Sequence, residues 1–457
     1  MILSASGWRK VFAQSGDERD ETAKIGSENK ALCFLAAESF LEWLKAKNGP
    51  SAKKPKIVVA TDTRPTGKEC AAFVLKALSL GKAKVVWLGV AAAPEIMAFA
   101  KGYDAFVYVS ASHNPIGHNG IKFGLNFGGV LDAGQNLEVR TIFEQKLKEA
   151  KSGEEILNRA KEADTKKILS EKGKNKKAAL ASYQKFSRLV SSAQKNQAAQ
   201  ERFFKSLKSA AKKKGLVVCA DFNGSARCLS VDKKFFADSG IKFKAMNDKA
   251  GKIVHEIIPE PENLVHVARF VEEAAACAEK NIIGYMPDCD GDRGNIVYFS
   301  QKTGKAKILK AQEVFSLSVL AELSYASWLW EKQKNKNSSE SEKPRLAVAA
   351  NCPTSMRVEE IASAFGAKVF RAEVGEANVV NLAREKRKAG YEVPILGEGS
   401  NGGTITYPAA VRDPLNTVLA IAKLLLIEGI LSKWQKARGL NFGQNPSLDQ
   451  IIDSLPK

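Results

Sequence analysis

The sequence predicts an α/β fold of three consecutive α/β domains, with mixed, mostly parallel sheets and flanking helices. Three observations predict it. Short apolar runs of strand length alternate with longer helical stretches, the rhythm of parallel sheets whose crossovers are helices. The cycle starts once near the amino terminus and restarts twice further along. A chain of 457 residues with a 44% hydrophobic fraction can bury several cores and has the composition of a globular protein.

The first domain is placed at residues 1–150. Within it Ile57 to Ala60 is a short apolar run, Cys70 to Leu80 is helix-like, Ala83 to Leu88 is strand-like, and Ala105 to Val109 reads as a buried strand. Residues 151–215 read as a Lys-rich helical insertion or linker. The second domain, 216–310, has strands at Leu216 to Cys219 and Ile282 to Tyr285 around a helix from Leu264 to Ala278. The third, 311–430, has strands at Leu346 to Ala349 and Ala367 to Phe370, a helix from Met356 to Phe365, and a run from Pro394 to Leu396 that leads into Gly397. Glu331 to Arg345 is rich in Lys, Asn, Ser and Glu with no apolar period, so it is expected as a surface loop. Residues 431–457 read as a linker that ends in a short helix.

Charge and cysteine usage exclude several classes. The net charge of +20 favours anionic partners, but it is concentrated: residues 151–214 hold 18 Lys/Arg against 6 Asp/Glu. Only Tyr183, Phe186, Phe203 and Phe204 interleave with those lysines, so a solvated helical segment is expected there and nucleic acid is not a favoured partner. The amino terminus has no charged start followed by a long apolar core, so no signal peptide is read. The apolar segment Thr417 to Leu431 is interrupted by Lys423 and Glu428 and is too short and too charged to span a bilayer. Seven cysteines without a C-x-x-C pair fit a reduced cytoplasmic compartment better than a disulfide framework.

Four motifs carry chemistry. In Ser110-Ala111-Ser112-His113-Asn114-Pro115 a strand ends in small polar residues, and Ser112 stands at its mouth as a candidate nucleophile or phosphoryl carrier. A turn with a capping serine has the same local appearance. Asn119-Gly120-Ile121-Lys122-Phe123 can return Lys122 to that loop. Asp288-Cys289-Asp290-Gly291-Asp292-Arg293 follows an apolar run, at the carboxyl end of a strand, where open α/β sheets bind ligands. Three alternating carboxylates repel one another unless a cation neutralises them, and hard oxygens suit Mg²⁺ first and Ca²⁺ second. An EF-hand is excluded, because Arg293 and Phe299 stand where its Gly and Glu belong. Gly397 to Gly403 lets the backbone approach a ligand, with Glu398 and Ser400 as hydroxyl-binding groups. Arg9, beside the turn at Ser6-Gly7, can grip a phosphate bidentately.

In this order along the chain, the four motifs resemble the α-D-phosphohexomutase family. Weaker echoes lie at Ala60-Thr61-Asp62-Thr63-Arg64-Pro65, at Ile258 to Leu264 and at Arg412-Asp413. The resemblance implies a phosphosugar mutase that moves a phosphoryl group between the 1 and 6 positions of a hexose phosphate, through a phosphoserine and a hexose 1,6-bisphosphate. It implies that Ser112 carries the phosphoryl group and that Asp288, Asp290 and Asp292, with Ser112, bind one Mg²⁺. Lys122 and Arg9 would stabilise charge and assist proton transfer. Arg293 would contact the phosphoryl group, His113 and Asn114 would shape the serine loop, and Glu398 and Ser400 would hold sugar hydroxyls. Phosphomannomutase or phosphoglucomutase activity is the favoured expectation. The alternatives are phosphoglucosamine mutase and a non-catalytic sugar-phosphate-binding relative. Two departures bear on this choice. The loop at 397–403 differs from the family's commonest sugar loops, and no phosphate-gripping loop of the kind carried by the family's fourth domain is read after Arg412. A weakened mutase is the resulting expectation.

Overall fold

A computed structural model describes residues 1–49, 54–277, 281–334, 342–401, 403–443 and 446–457. Three sheets follow one another along the chain. The first contains β1 (Ile2–Ser4), β2 (Gly7–Val11), β3 (Lys56–Thr61), β4 (Lys84–Val90), β5 (Ala105–Val109) and β6 (His118–Leu125), in the spatial order β1-β2-β6-β5-β3-β4. The second contains β7 (Leu216–Asp221), β8 (Lys242–Met246), β9 (Asn281–Met286), β10 (Asn295–Ser300) and β11 (Lys305–Ile308), ordered β11-β10-β9-β7-β8. The third contains β12 (Leu346–Asn351), β13 (Lys368–Ala372), β14 (Glu392–Glu398) and β15 (Gly403–Thr406), ordered β13-β12-β14-β15.

Each sheet has a parallel centre with an antiparallel extension on one side. β3 pairs parallel with β4 and β5, β7 with β8 and β9, and β12 with β13 and β14. The remaining pairs are antiparallel. The central strands are covered on both faces, so they read as continuous apolar runs; all of Ala105–Val109 is buried. The extension strands carry polar residues and glycines. β6 holds Asn119, Gly120 and Lys122, which left it unread as a strand.

The architecture places three strand ends together. β5 runs out at Val109 just before Ser112, β9 at Met286 just before Asp288, and β14 at Glu398. Two backbone bonds hold the metal loop: Ala93 N–H, in the first domain after β4, donates to Asp290 O at 2.8 Å, and Ala226 N–H, after β7, donates to Cys289 O at 3.0 Å.

The Lys-rich segment is helical over Gly153–Lys161, Lys166–Ser170, Lys172–Ser192 and Gln197–Lys214. The expected solvated insertion holds for one face only. On helix Lys172–Ser192, Ala179 packs with Val58, Ala60 and Tyr108 of the first sheet. Tyr183 enters a core shared by the second and third sheets, and Val190 packs with Ala347 and Val393 of the third. Lys176 Nζ pairs with the buried carboxylate of Glu95 at 2.7 Å.

Two further expectations are corrected. Glu331 to Lys334 is not loop but the exposed last turn of helix Ala311–Lys334, whose buried residues end at Ala326; part of the expected loop, 335–341, lies outside the described residues. The segment 431–457 is not a free linker, because Leu431, Trp434, Leu448, Ile451 and Leu455 are buried in the main core. Helix Leu448–Asp453 docks on β10, where Asp449 accepts bonds from Ser300 Oγ at 2.7 Å and Tyr298 OH at 3.2 Å. Among the described residues no single helix is long and apolar enough to cross a membrane. The apolar helix Pro414–Leu426 is instead almost entirely buried in the core.

Candidate active site

Ser112 is the buried tip of the loop that leaves β5, and its backbone is left-handed at φ 55°. Its N–H donates to Ser110 Oγ at 2.9 Å, which fixes the turn. Its hydroxyl donates to Asp288 Oδ2 at 2.5 Å across 176 residues of chain. The serine read from the first sheet and the aspartate read from the second therefore share one site.

Asp288, Asp290 and Asp292 are buried, and one oxygen of each lies within 4.8 Å of the others. Asp290 Oδ2 accepts from Lys122 Nζ at 2.6 Å and from Ser110 Oγ at 3.0 Å. Asp292 Oδ2 accepts from Arg412 Nη2 at 3.0 Å. Asp290 Oδ1 and Asp292 Oδ1 are buried without a hydrogen-bond partner. Orphaned carboxylate oxygens aimed into one volume are what a small hard divalent cation requires of its ligands. The donor set therefore fits a metal of the Mg²⁺ class. Burial, with Asp290 and Asp292 alongside, pushes the Asp288 carboxyl up to about 7. Burial presses Asp290 the same way, but the Lys122 ammonium outweighs it and holds Asp290 well below the usual carboxylate range.

Cations ring these acids. Arg9 on β2 lies opposite Gly120 of β6; its Nη2 donates to Ser6 O at 3.0 Å, and its Nε is buried without a hydrogen-bond partner. Burial lowers its pKa, and Asp290, Arg293, Asp292 and Arg412 are the charges that act on it. Arg293 is buried beside the metal loop, and its Nε too lacks a hydrogen-bond partner. His113 Nδ1 sits 3.5 Å from Ser112 Oγ. Burial, then Arg293 and Arg9, press its imidazole down to about 3, so it is neutral near pH 7. Asn114 contributes through its backbone, donating to Ala111 O at 3.1 Å in the loop turn.

The third sheet supplies Glu398, whose Oε1 accepts from Gly375 N–H at 2.8 Å and from Asn351 Nδ2 at 3.1 Å. Ser400 is exposed on the 3₁₀ turn Gly399–Asn401, whose first residue, Gly399, is buried. Sequence reasoning singled out neither Ser110 nor Glu376, and it gave Arg412 and Arg64 no role. Arg412 bridges the metal loop and the third sheet, pairing with Asp292 and, through Nε at 3.1 Å, with Glu376. Burial raises the Glu376 carboxyl to about 7. The one local sign at Glu376 is the preceding Gly375 at φ 130°, a turn into the helix that carries no chemical signature.

The sequence matches the model described as phosphoglucomutase/phosphomannomutase, alpha/beta/alpha domain I, over residues 13–150, and the corresponding domain III model over residues 325–438. The chain belongs to the α-D-phosphohexomutase family. It is 36% identical over 105 residues to a phosphoglucosamine mutase of Exiguobacterium sp., a match covering 22% of this chain and 23% of that relative. It is 40% identical over 116 residues to a phosphoglucosamine mutase of Clostridium perfringens, covering 23% of this chain and 26% of the relative. These matches thus span about a quarter of the relatives' length. Among solved structures, a phosphoglucomutase/phosphomannomutase family protein of Burkholderia thailandensis superposes with a TM-score of 0.63 at 17% identity, over 100% of this chain and 80% of that one. The pp63/parafusin phosphoglucomutase of Paramecium superposes with a TM-score of 0.61 at 15% identity, over 97% and 78%. At these identities the superpositions establish the phosphohexomutase fold.

Proposed function

We propose that this phosphohexomutase-family chain is a Mg²⁺-dependent phosphosugar mutase that uses Ser112 as its phosphoryl carrier. The observation that carries the reading is the Ser112 Oγ to Asp288 Oδ2 contact of 2.5 Å inside the three-aspartate cluster. Phosphoryl transfer needs little covalent chemistry from a protein; it needs in-line positioning and neutralised equatorial oxygens. Asp288, Asp290 and Asp292 would hold the cation, which supplies charge neutralisation at the transferring group. Arg9 and Arg293, with unpartnered guanidinium nitrogens, are available to phosphate oxygens. Lys122 would exchange a proton with the sugar hydroxyl, and neutral His113 would support the serine oxygen without adding charge.

In the proposed cycle one sugar hydroxyl bonds to phosphorus as the Ser112 Oγ–P bond breaks, and the hydroxyl's proton passes by way of Lys122 to the released Ser112 Oγ. A hexose 1,6-bisphosphate results. The sugar turns over, its other phosphoryl group returns to Ser112 Oγ, and the isomeric monophosphate leaves. Glu398 and Ser400 would hold the sugar hydroxyls. The two curated relatives, named phosphoglucosamine mutases, support including a hexosamine phosphate among the substrates, beside glucose and mannose phosphates.

The test is a mutase assay on glucose, mannose and glucosamine 1-phosphates with Mg²⁺ and a trace of the matching bisphosphate, run beside Ser112→Ala. Turnover by the parent protein is expected, with none by the alanine variant. Intact-mass measurement should find one phosphoryl group on the parent and none on Ser112→Ala. Equal turnover by both proteins would remove Ser112 from the chemistry.

A further inference from the structure

We infer that Arg64 is the positioning residue that shapes the Ser112 loop, by gathering the loop's carbonyl oxygens onto one buried guanidinium. The inference rests on the proposed role of Ser112.

Arg64 follows β3 and is 2% exposed. Its Nη1 donates to Pro115 O at 2.5 Å and to His118 O at 3.1 Å. Its Nη2 donates to Ser112 O at 2.8 Å and to Asn114 O at 2.5 Å. Four carbonyls spread over seven residues therefore converge on one planar group. The guanidinium is itself held from behind. Asp62 Oδ1 accepts from Arg64 N–H at 3.0 Å, and Asp62 Oδ2 pairs with Arg64 Nε at 3.3 Å, both side chains being fully buried. The N–H of Asp62 donates in turn to Val109 O at 3.1 Å, so the support is anchored on the strand that delivers the loop.

The arrangement explains why Ser112 sits in left-handed backbone at φ 55°. A non-glycine residue adopts that conformation only where its surroundings determine it. Here the carbonyl of Ser112 is drawn inward to Arg64, and the side chain consequently faces outward to Asp288. Arginine's fixed fork of donors suits this task. A lysine ammonium carries its donors on one nitrogen and cannot serve carbonyls on two sides of a plane. Among the described residues Arg64 makes no hydrogen bond or ion pair with the three aspartates or the cations around them, so its effect on the reaction runs through the loop.

The experiment compares Arg64→Lys and Arg64→Met with the parent by hydrogen exchange, steady-state kinetics and Mn²⁺ titration. Exchange of the Ser112 to His118 amides should rise at least about tenfold in both variants, with β3 and β5 unchanged. The kcat value should fall about 100-fold while KM stays within about twofold, as expected of a nucleophile moved by roughly 1 Å. Mn²⁺ affinity should stay within about threefold, because Asp288, Asp290 and Asp292 keep their places. Retention of kcat and of loop protection by Arg64→Lys would overturn the inference, as would exchange that rises evenly across the first sheet. A parent protein without turnover, whose loop still loosens in both variants, would sink the Ser112 reading and leave the role of Arg64 standing.

Discussion

At the scale of single residues, burial and counter-charge decide what each ionisable group can do. Asp290 and Asp288 have the same chemistry and lie two residues apart, yet Lys122 holds one ionised while burial raises the other to about 7. Sequence position gave both aspartates equally; only the approach of β6 distinguishes them. A cleaner case, outside the metal site, is His255. Its Nε2 lies 2.8 Å from Asp221 Oδ2, and its ring stacks on His266 at 4.2 Å between centroids. Burial opposes its charge, but the bond to Asp221 wins and raises the pKa above 6.5, while desolvation and His255 lower that of His266. A histidine whose folded pKa is raised contributes stability that is complete below its unfolded value and is lost as pH climbs through the folded one. The stability difference between the parent and His255→Gln should thus be larger at about pH 5.5, below the unfolded value, than at about pH 9, above it. Urea unfolding at those pH values measures it, and a difference that grows with pH would contradict the assignment.

At the scale of elements, the motifs were legible because their residues are adjacent in the chain. Asp288 to Arg293 could be read as a ligand loop because an apolar strand precedes it, and β9 ends where that reading requires. The antiparallel strands were not legible, since β6 looks polar until it is seen beside β2 and β5. The metal loop also depends on packing that no local pattern reveals. Gly291 has φ 75°, and a Cβ placed there would lie 2.6 Å from Arg227 Cδ and 2.7 Å from Arg227 Cγ. Gly291→Ala should therefore cost about 1–2 kcal/mol for left-handed backbone and about 1–3 kcal/mol more for overpacking. Thermal unfolding should register the loss, and Mn²⁺ titration should show weaker binding as the loop shifts. Unchanged values in both would show that the loop yields freely.

At the scale of the whole molecule, one buried polar network joins the Lys-rich helix to the second and third sheets. Arg227 Nη2 donates to Asp232 Oδ1 at 2.6 Å, and its Nη1 donates to Tyr183 OH at 2.9 Å and to Asp413 Oδ1 at 3.2 Å. Tyr183 OH donates to Asp413 Oδ2 at 2.7 Å, and Tyr285 OH donates to Asp232 Oδ1 at 2.7 Å. Asp413 adjoins Arg412, so the network ends beside the metal loop it supports. Arg227→Met strands two buried carboxylates and should cost about 3–5 kcal/mol. Tyr183→Phe removes a single hydroxyl and should cost about 1–3 kcal/mol. Denaturant unfolding of the two variants checks that order; a larger loss for Tyr183→Phe would mean that Arg227 is not the hub.

The sequence by itself determined the α/β class, the parallel strands other than β8, and the identities of Ser112, Lys122 and the three aspartates. Each of these is written in local periodicity or in a run of neighbouring side chains. Tertiary structure alone decided that Arg412 pairs with both Asp292 and Glu376, and it gave the 2.5 Å contact between Ser112 and Asp288 that the family resemblance had only implied. It also decided that Arg64 gathers the serine loop and that the Lys-rich helix is a shared core element. The physical reason is one of range. Hydrophobic period and turn chemistry act over a few residues, whereas a charge pair or a buried face joins residues whose separation in the chain carries no signal until the sheets have packed.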